Sequence, residues 1–297
     1  MSKRIALCQL NPEAGKSEKN FFTINQTIKN YAEEKIKLFI FPEDFLNGIL
    51  RDREDILTAG KKFDFWINRL CEVAKRYKVD LIPGSLPLFE KGKLFNTTIY
   101  INSEGKIINQ YSKTNLWLSE KDDYSVSPNS PKVFQSVLGK TMQIICWDLM
   151  DHELFEEAIK QEVEWIINVS LWYTNQSRDL ERKRGKTKNK YRIPIRRSER
   201  LSSIIETRST EYNLGIIFCN IGGIHKYIGQ DGSHDEARSA GCTQAIAPLD
   251  GVRKIIGSIK EKILICDIPE VKDYIYDHEI FYGRREDIKT NYPYSLK

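Results

Sequence analysis

Apolar positions along the chain follow two rhythms. Short runs of β-prone residues, bounded by Pro, Gly, Asn or Asp, alternate with longer stretches in which apolar residues recur every three or four positions. Residues 5–10 read as a first strand, and 17–35 as a helix with Phe21, Ile24, Ile28 and Tyr31 on one face. A strand at 37–41 runs into Pro42-Glu43, a helix at 63–77 is carried by Phe65, Ile67, Leu70 and Val73-Ala74, and 79–83 is another strand. The rhythm then changes. Residues 94–102 and 106–111 flank Ser103-Glu104-Gly105, and 133–137 and 141–146 flank Leu138-Gly139-Lys140, so each pair predicts an antiparallel hairpin. Beyond them lie a helix at 152–161, a strand at 164–169, a helix at 198–212, a strand at 214–220, and late strands at 242–247, 252–257 and 262–267, with a turn at Pro248-Leu249-Asp250-Gly251. Helices interleaved with hairpins imply a layered α/β domain on a mixed sheet. No linker rich in Pro, Gly or Ser divides the chain, so one domain is expected over 1–297, with a core at about 4–270 and a tail at 271–297.

Composition narrows the class without changing the fold. With 40% hydrophobic, 11% aromatic and 29% charged residues, the chain matches an ordinary globular protein rather than a disordered one. No window approaches the roughly 18–20 consecutive apolar residues of a membrane helix. The first apolar run turns polar at Asn11, too soon for a signal-peptide core, and a cytoplasmic location is expected. Six cysteines, at 8, 71, 146, 219, 242 and 266, show neither C-x-x-C spacing nor clustering with the four histidines, so neither a zinc site nor a disulfide framework is expected.

The net charge of +5 is unevenly spread. Residues 178–200 hold eleven Lys or Arg and three acids, a local +8 that leaves −3 for the rest of the chain. Tyr191 is the stretch's single aromatic residue, which argues against a surface for stacking nucleic-acid bases. As a basic insertion it reads either as a solvated loop or as a lid or docking surface for an acidic substrate or partner.

Three strand ends carry polar residues that together suffice for attack on an amide or nitrile carbon. Glu43 follows Leu38-Phe39-Ile40-Phe41-Pro42, Lys113 follows Tyr111-Ser112, and Cys146 follows Ile144-Ile145 and precedes Trp147-Asp148. Residues just past the ends of core strands face the crevice where open α/β folds bind ligands. A cysteine needs a base to become the reactive thiolate, and a carboxylate can take that proton. An ammonium beside a backbone N–H, such as that of Trp147, can hold the resulting oxyanion. Taken singly, each has a plain alternative: Glu43 a helix-capping or exposed carboxylate, Cys146 a buried inert thiol, Lys113 a solvated strand end, Glu120 a surface charge.

In order along the chain, these motifs resemble the carbon–nitrogen hydrolase family, the nitrilase superfamily, and most closely its amidase and N-carbamoyl-amine hydrolase branches. Phe41-Pro42-Glu43 resembles the motif of the family's general base, Tyr111-Ser112-Lys113 its lysine motif, and Ile145-Cys146-Trp147-Asp148 its nucleophile motif. Glu120 matches the family's second glutamate, which orients base and lysine. Arg208-Ser209-Thr210-Glu211, Asn220-Ile221-Gly222-Gly223 and Gly241-Cys242-Thr243 are similar to later family segments, so the resemblance spans about 4–270. It implies a four-layer α-β-β-α sandwich, a Glu-Lys-Cys mechanism through an acyl-enzyme with no metal or cofactor, a small amide or carbamoyl substrate, and a homodimer or higher homo-oligomer. Trp147 and Trp172 either line the substrate pocket or pack, while Asn168, Ser170 and Tyr173 lie where the family's substrate loops fall. Departures are His152-Glu153 where a proline precedes the glutamate, apolar Leu149 and Met150 where carbamoyl amino-acid enzymes carry arginine, and Asn115 for the usual histidine. Three outcomes stay open at this stage: hydrolysis, acyl transfer from the same acyl-enzyme to an amine, and a non-catalytic binding protein on the same fold.

Overall fold

The computed structural model describes residues 2–50, 52–118, 120–173, 197–228, 234–247 and 254–270. Strands β1 (Lys3–Gln9), β2 (Leu38–Ile40), β3 (Asp80–Ile82), β4 (Ser85–Glu90), β5 (Lys93–Ile101), β6 (Ile107–Ser112) and β15 (Lys262–Ile268) build one sheet. Its order is β15-β1-β2-β3-β5-β4, with β6 paired to β5. A second sheet runs β14-β13-β10-β9-β8-β7, from Lys254–Ile255, Gln244–Ile246, Gly215–Asn220, Trp165–Ser170, Gly139–Ile145 and Val133–Ser136 respectively. Each has a parallel trio at its centre, β1-β2-β3 and β8-β9-β10, with antiparallel strands outside it. A separate hairpin pairs β11 (Ile224–Ile228) with β12 (His234–Arg238).

Side-chain alternation makes the layers. In β1, Ile5 and Leu7 face the second sheet, meeting Trp165, Ile167 and Val169 of β9 and Ile217 and Cys219 of β10. Ala6 and Cys8 face the other way, under α1 (Ser17–Asn30) and α3 (Phe63–Tyr77), whose Ile24, Ile28, Trp66, Ile67 and Leu70 close the first outer layer. On the far side, Ile166, Ile216 and Phe218 lie under α5 (His152–Lys160) and α6 (Arg197–Tyr212), through Leu154, Phe155, Leu201 and Ile205. A period of two in the strands and near 3.6 in the helices thus stacks four layers, the expected α-β-β-α sandwich in one domain.

Both predicted hairpins form, β5–β6 and β7–β8. The expected helix at 17–35 ends at Asn30 and gives way to a 3₁₀ turn and a left-handed Lys35. The expected strand at 242–247 shortens to Gln244–Ile246, because Gly241 and Cys242 both take positive φ. Two short helices, α2 (Arg53–Lys61) and α4 (Glu120–Asp123), complete the described elements together with β4 and the β11–β12 hairpin, and the hydrophobic pattern suggested none of these. Of the basic stretch 178–200, residues 178–196 lie outside the described residues, as do the turn at 248–251 and the tail at 271–297, while 197–200 open α6. No helix among the described residues is long and apolar enough to cross a membrane.

Candidate active site

Strand β2 delivers Glu43. Phe41 N–H extends the β2–β3 ladder to the Ile82 carbonyl at 2.8 Å, after which Pro42, which has no N–H, ends the pairing. The chain passes so close to Gly84 that a Cβ there would stand 1.9 Å from the Pro42 oxygen, and Gly84 has φ +89°. Glu43 is 2% exposed and Lys113, just past β6, is 1% exposed. Lys113 Nζ donates to Glu43 Oε1 at 2.9 Å and to Glu120 Oε1 at 2.8 Å. Glu120 opens α4 and is pinned by the Trp117 N–H, which reaches Oε2 at 2.6 Å. From β5, Asn96 Nδ2 donates to Glu43 Oε1 at 2.8 Å and to Glu120 Oε1 at 3.2 Å.

The thiol comes from the other sheet. Cys146 is the first residue of a 3₁₀ turn, Cys146–Met150, that caps β8, and it takes φ +47°. A left-handed backbone at a non-glycine residue costs of order 1–3 kcal/mol and persists only where its surroundings enforce it. Two groups enforce it here. Asn168 of β9 accepts the Cys146 N–H at 2.8 Å and donates to the Cys146 carbonyl at 3.2 Å. Asp148, fully buried, accepts from Ile145 N at 2.9 Å, Asn115 N at 2.9 Å and Tyr111 Oη at 2.8 Å. The Cys146 turn is thereby tied to the strand and loop that carry Lys113.

Burial dominates the electrostatics. It pushes the Glu43 carboxyl above its ordinary range against the opposing pull of Lys113. The thiol itself is pushed well up, first by burial and then by the Glu43 charge, with Lys113 opposing. Burial alone would lower Lys113, but the Glu43 and Glu120 carboxylates outweigh it and hold the ammonium protonated. Asp148 is pushed up to about 6 by burial. A neutral thiol beside a dry carboxylate, with a fixed cation next to both, can pass its proton without involving bulk water.

The structure therefore brings Glu43, Lys113, Glu120 and Cys146 together at one end of the sandwich. Trp147 and Trp172 lie ring to ring at the Cys146 turn, their centroids 5.3 Å apart, both partly exposed. Trp172 is fixed through its backbone, its N–H to Asn220 Oδ1 at 2.8 Å and its carbonyl from Asn220 Nδ2 at 3.2 Å. Tyr173 bridges to Ser239 and sets its ring edge-on to His225 at 5.9 Å. Asn168, one of the expected substrate residues, grips the Cys146 backbone with both ends of its side-chain amide. Sequence reasoning missed Asn96, Asp148 and Tyr111 as parts of the site. Asp148 and Tyr111 stood inside the quoted motifs, whereas Asn96 gave no signal beyond a polar residue in an apolar run. Among the described residues no group of three or more His, Cys, Asp or Glu side chains converges as metal ligands would.

Comparison with known proteins points the same way. The chain is 25% identical over 227 residues to the "Hydrolase in agr operon" of Staphylococcus aureus, covering 74% of this chain and 77% of that one. It is 26% identical over 151 residues to an (R)-stereoselective amidase of a Pseudomonas species, covering 49% and 52% respectively. A mutant amidase from Nesterenkonia sp. AN1, with the acetamide moiety of fluoroacetamide added covalently at its active-site cysteine, superposes with a TM-score of 0.72. That match has 17% identity and covers 98% of this chain and 96% of the other. The carbon-nitrogen hydrolase family model matches residues 4–200, and the chain belongs to that family.

Proposed function

We propose that the protein hydrolyses a non-peptide C–N bond in a small linear amide or N-carbamoyl amine, by way of an acyl group on Cys146. Cys146 Sγ attacks the carbonyl carbon while its proton passes to the Glu43 carboxylate. The tetrahedral oxyanion lies against the Lys113 ammonium and the Trp147 N–H. Glu43 returns the proton to the departing nitrogen, and ammonia leaves with the thioester on Cys146. Water then attacks the thioester, Glu43 takes its proton, and the acid product departs with the thiol restored. A carbamoyl substrate ends as an amine, carbon dioxide and ammonia. Glu120 holds Lys113 together with Glu43, Asn168 holds the nucleophile turn, and Trp147, Trp172 and Tyr173 border the substrate.

The observation that carries this reading is the buried Lys113 ammonium, shared between two carboxylates at 2.9 and 2.8 Å beside a thiol on a left-handed turn. Burying three charges is unfavourable unless they are paired, and a merely structural end to a sandwich has no need of them. The likeness to amidases makes short aliphatic amides the first substrates to try. The test is ammonia release across a panel of linear amides and N-carbamoyl amines, with intact mass measured after rapid quenching. Ammonia with an acyl-sized mass gain on Cys146, both lost in Cys146→Ala, is the expected result. No ammonia from any member and no adduct would overturn it.

A further inference from the structure

We infer that Asn96 is a positioning residue for the reaction, holding the two carboxylates so that one chosen oxygen of Glu43 faces the thiol. The inference rests on the reading of Glu43 as the base, and it concerns how that base is aimed. Asn96 sits in the middle of β5 and is 1% exposed. Its side-chain amide reaches Glu43 Oε1 at 2.8 Å and Glu120 Oε1 at 3.2 Å, and its carbonyl accepts the Lys113 N–H at 2.9 Å. One residue therefore touches both carboxylates and the backbone of the lysine that joins them.

The geometry decides which carboxylate oxygen can act. Glu43 Oε1 accepts from both Lys113 Nζ and Asn96 Nδ2, at 2.9 and 2.8 Å, which occupies both of its lone-pair directions. Oε2 is left to accept from the thiol. The donor is also neutral, so it draws the two carboxylates together without adding a second cation that would compete with Lys113 for them. The packing favours a functional reason for this residue. Asn96 Oδ1 is buried and meets no donor among the described residues, a cost to stability that an apolar side chain on β5 would avoid.

The test is made on the full chain with Asn96→Ala, Asn96→Asp and Asn96→Ser. Three quantities are measured: kcat and KM for an amide substrate, the pH dependence of Cys146 alkylation by iodoacetamide, and the melting temperature. In Asn96→Ala, kcat is expected to fall about 10- to 100-fold with KM within roughly twofold of the parent. The acid limb of the alkylation profile should also move to higher pH by roughly half a unit, because a hydrogen bond to the charged form of Glu43 has gone. Asn96→Asp sets a third carboxylate against two others and should lose more activity. Asn96→Ser keeps a hydroxyl donor and should recover part of the loss. If Asn96→Ala does not fold, Asn96→Ser against the parent carries the same comparison. An unmoved acid limb, or equal losses in the Ser and Ala variants, would overturn the inference. Glu43→Gln separates the two readings: if its acid limb matches that of the parent, Glu43 is not the base and the fault lies upstream of Asn96.

Discussion

Lys113 illustrates what a single residue does here. Its stem is wholly inside the protein and its ammonium joins Glu43, which is almost as buried, to Glu120, which is less so. Removing one partner of a buried ionic group leaves the others uncompensated, which costs about 3–5 kcal/mol. Lys113→Met should therefore lose both activity and stability, with turnover below detection and a loss of unfolding free energy in that range by denaturant titration. Cys146→Ala makes the useful contrast, since it removes the proposed nucleophile and no charge. A Lys113→Met protein as stable as the parent would show that this buried ion pairing does not hold the fold together. In the proposed mechanism Glu43 sets the pH dependence. Its ionised form would take the proton, and burial places its titration above the ordinary carboxylate range, so activity should rise with pH along a limb that begins above that range. Asp148, pushed up to about 6, should contribute to the same limb, because its protonated form cannot accept from all of the Ile145, Asn115 and Tyr111 donors. The kcat/KM profile of the parent should thus fall more steeply below about pH 6 than that of Asp148→Asn, and parallel profiles would remove Asp148 from it.

Among the elements, the β2–β3 pair aims the base through a near-collision of backbones. At Gly84 an added methyl meets the Pro42 oxygen and also sits at a positive φ. Gly84→Ala should cost more than about 2 kcal/mol and, by shifting Glu43, lower kcat by about 10²-fold. Gly92, in the β4–β5 turn, supplies the control, since it too has positive φ but nothing lies within 4 Å of an added Cβ. Gly92→Ala should lose about 1 kcal/mol at most and keep its kcat. Equal kinetic losses in the two variants would mean that the close approach to Pro42 does not position Glu43. The same elements show where a sequence can be read. β1, β9 and β10 announce themselves because alternate residues meet two different apolar layers. β4 hides because Pro87 breaks the pattern, which an edge strand tolerates. β11 and β12 carry His225, Lys226, Asp235 and Glu236, too polar to suggest strands. Glu43, Lys113 and Cys146 were legible from motif order. Asn96 was not, and neither were the bonds that Asp148 and Asn168 make, because these lie with partners 22 to 53 residues away along the chain or on another strand.

At the scale of the whole molecule, the site is a joint between two sheets. Glu43, Asn96 and Lys113 ride on the first and Cys146 on the second, so the distance between base and thiol depends on how the sheets are held. Besides apolar packing, several polar ties cross the gap, and two of them start on β6. Tyr111 of β6 reaches Asp148 at 2.8 Å, directly under the nucleophile turn. Asn109 of β6 reaches Gln143 of β8 at 2.8 Å, and Gln143 continues to Thr98 at 3.3 Å. Both ties join the same pair of sheets, but only the first ends on the turn that carries Cys146. Tyr111→Phe should therefore lower kcat by about tenfold with a small change in melting temperature, since one hydrogen bond is lost where geometry is critical. Gln143→Leu strands the Asn109 amide in the core and should cost about 1–3 kcal/mol, with kcat near that of the parent. Adding Asn109→Leu to Gln143→Leu should return part of that stability, because removing both partners leaves no buried donor unmatched. If the two single variants lose activity and stability in the same proportion, the sheets move as one body and neither tie is specific to the site. If they separate as expected, the Tyr111–Asp148 bond is the tie that sets the spacing of base and thiol, and the rest of the interface serves to keep the sandwich closed.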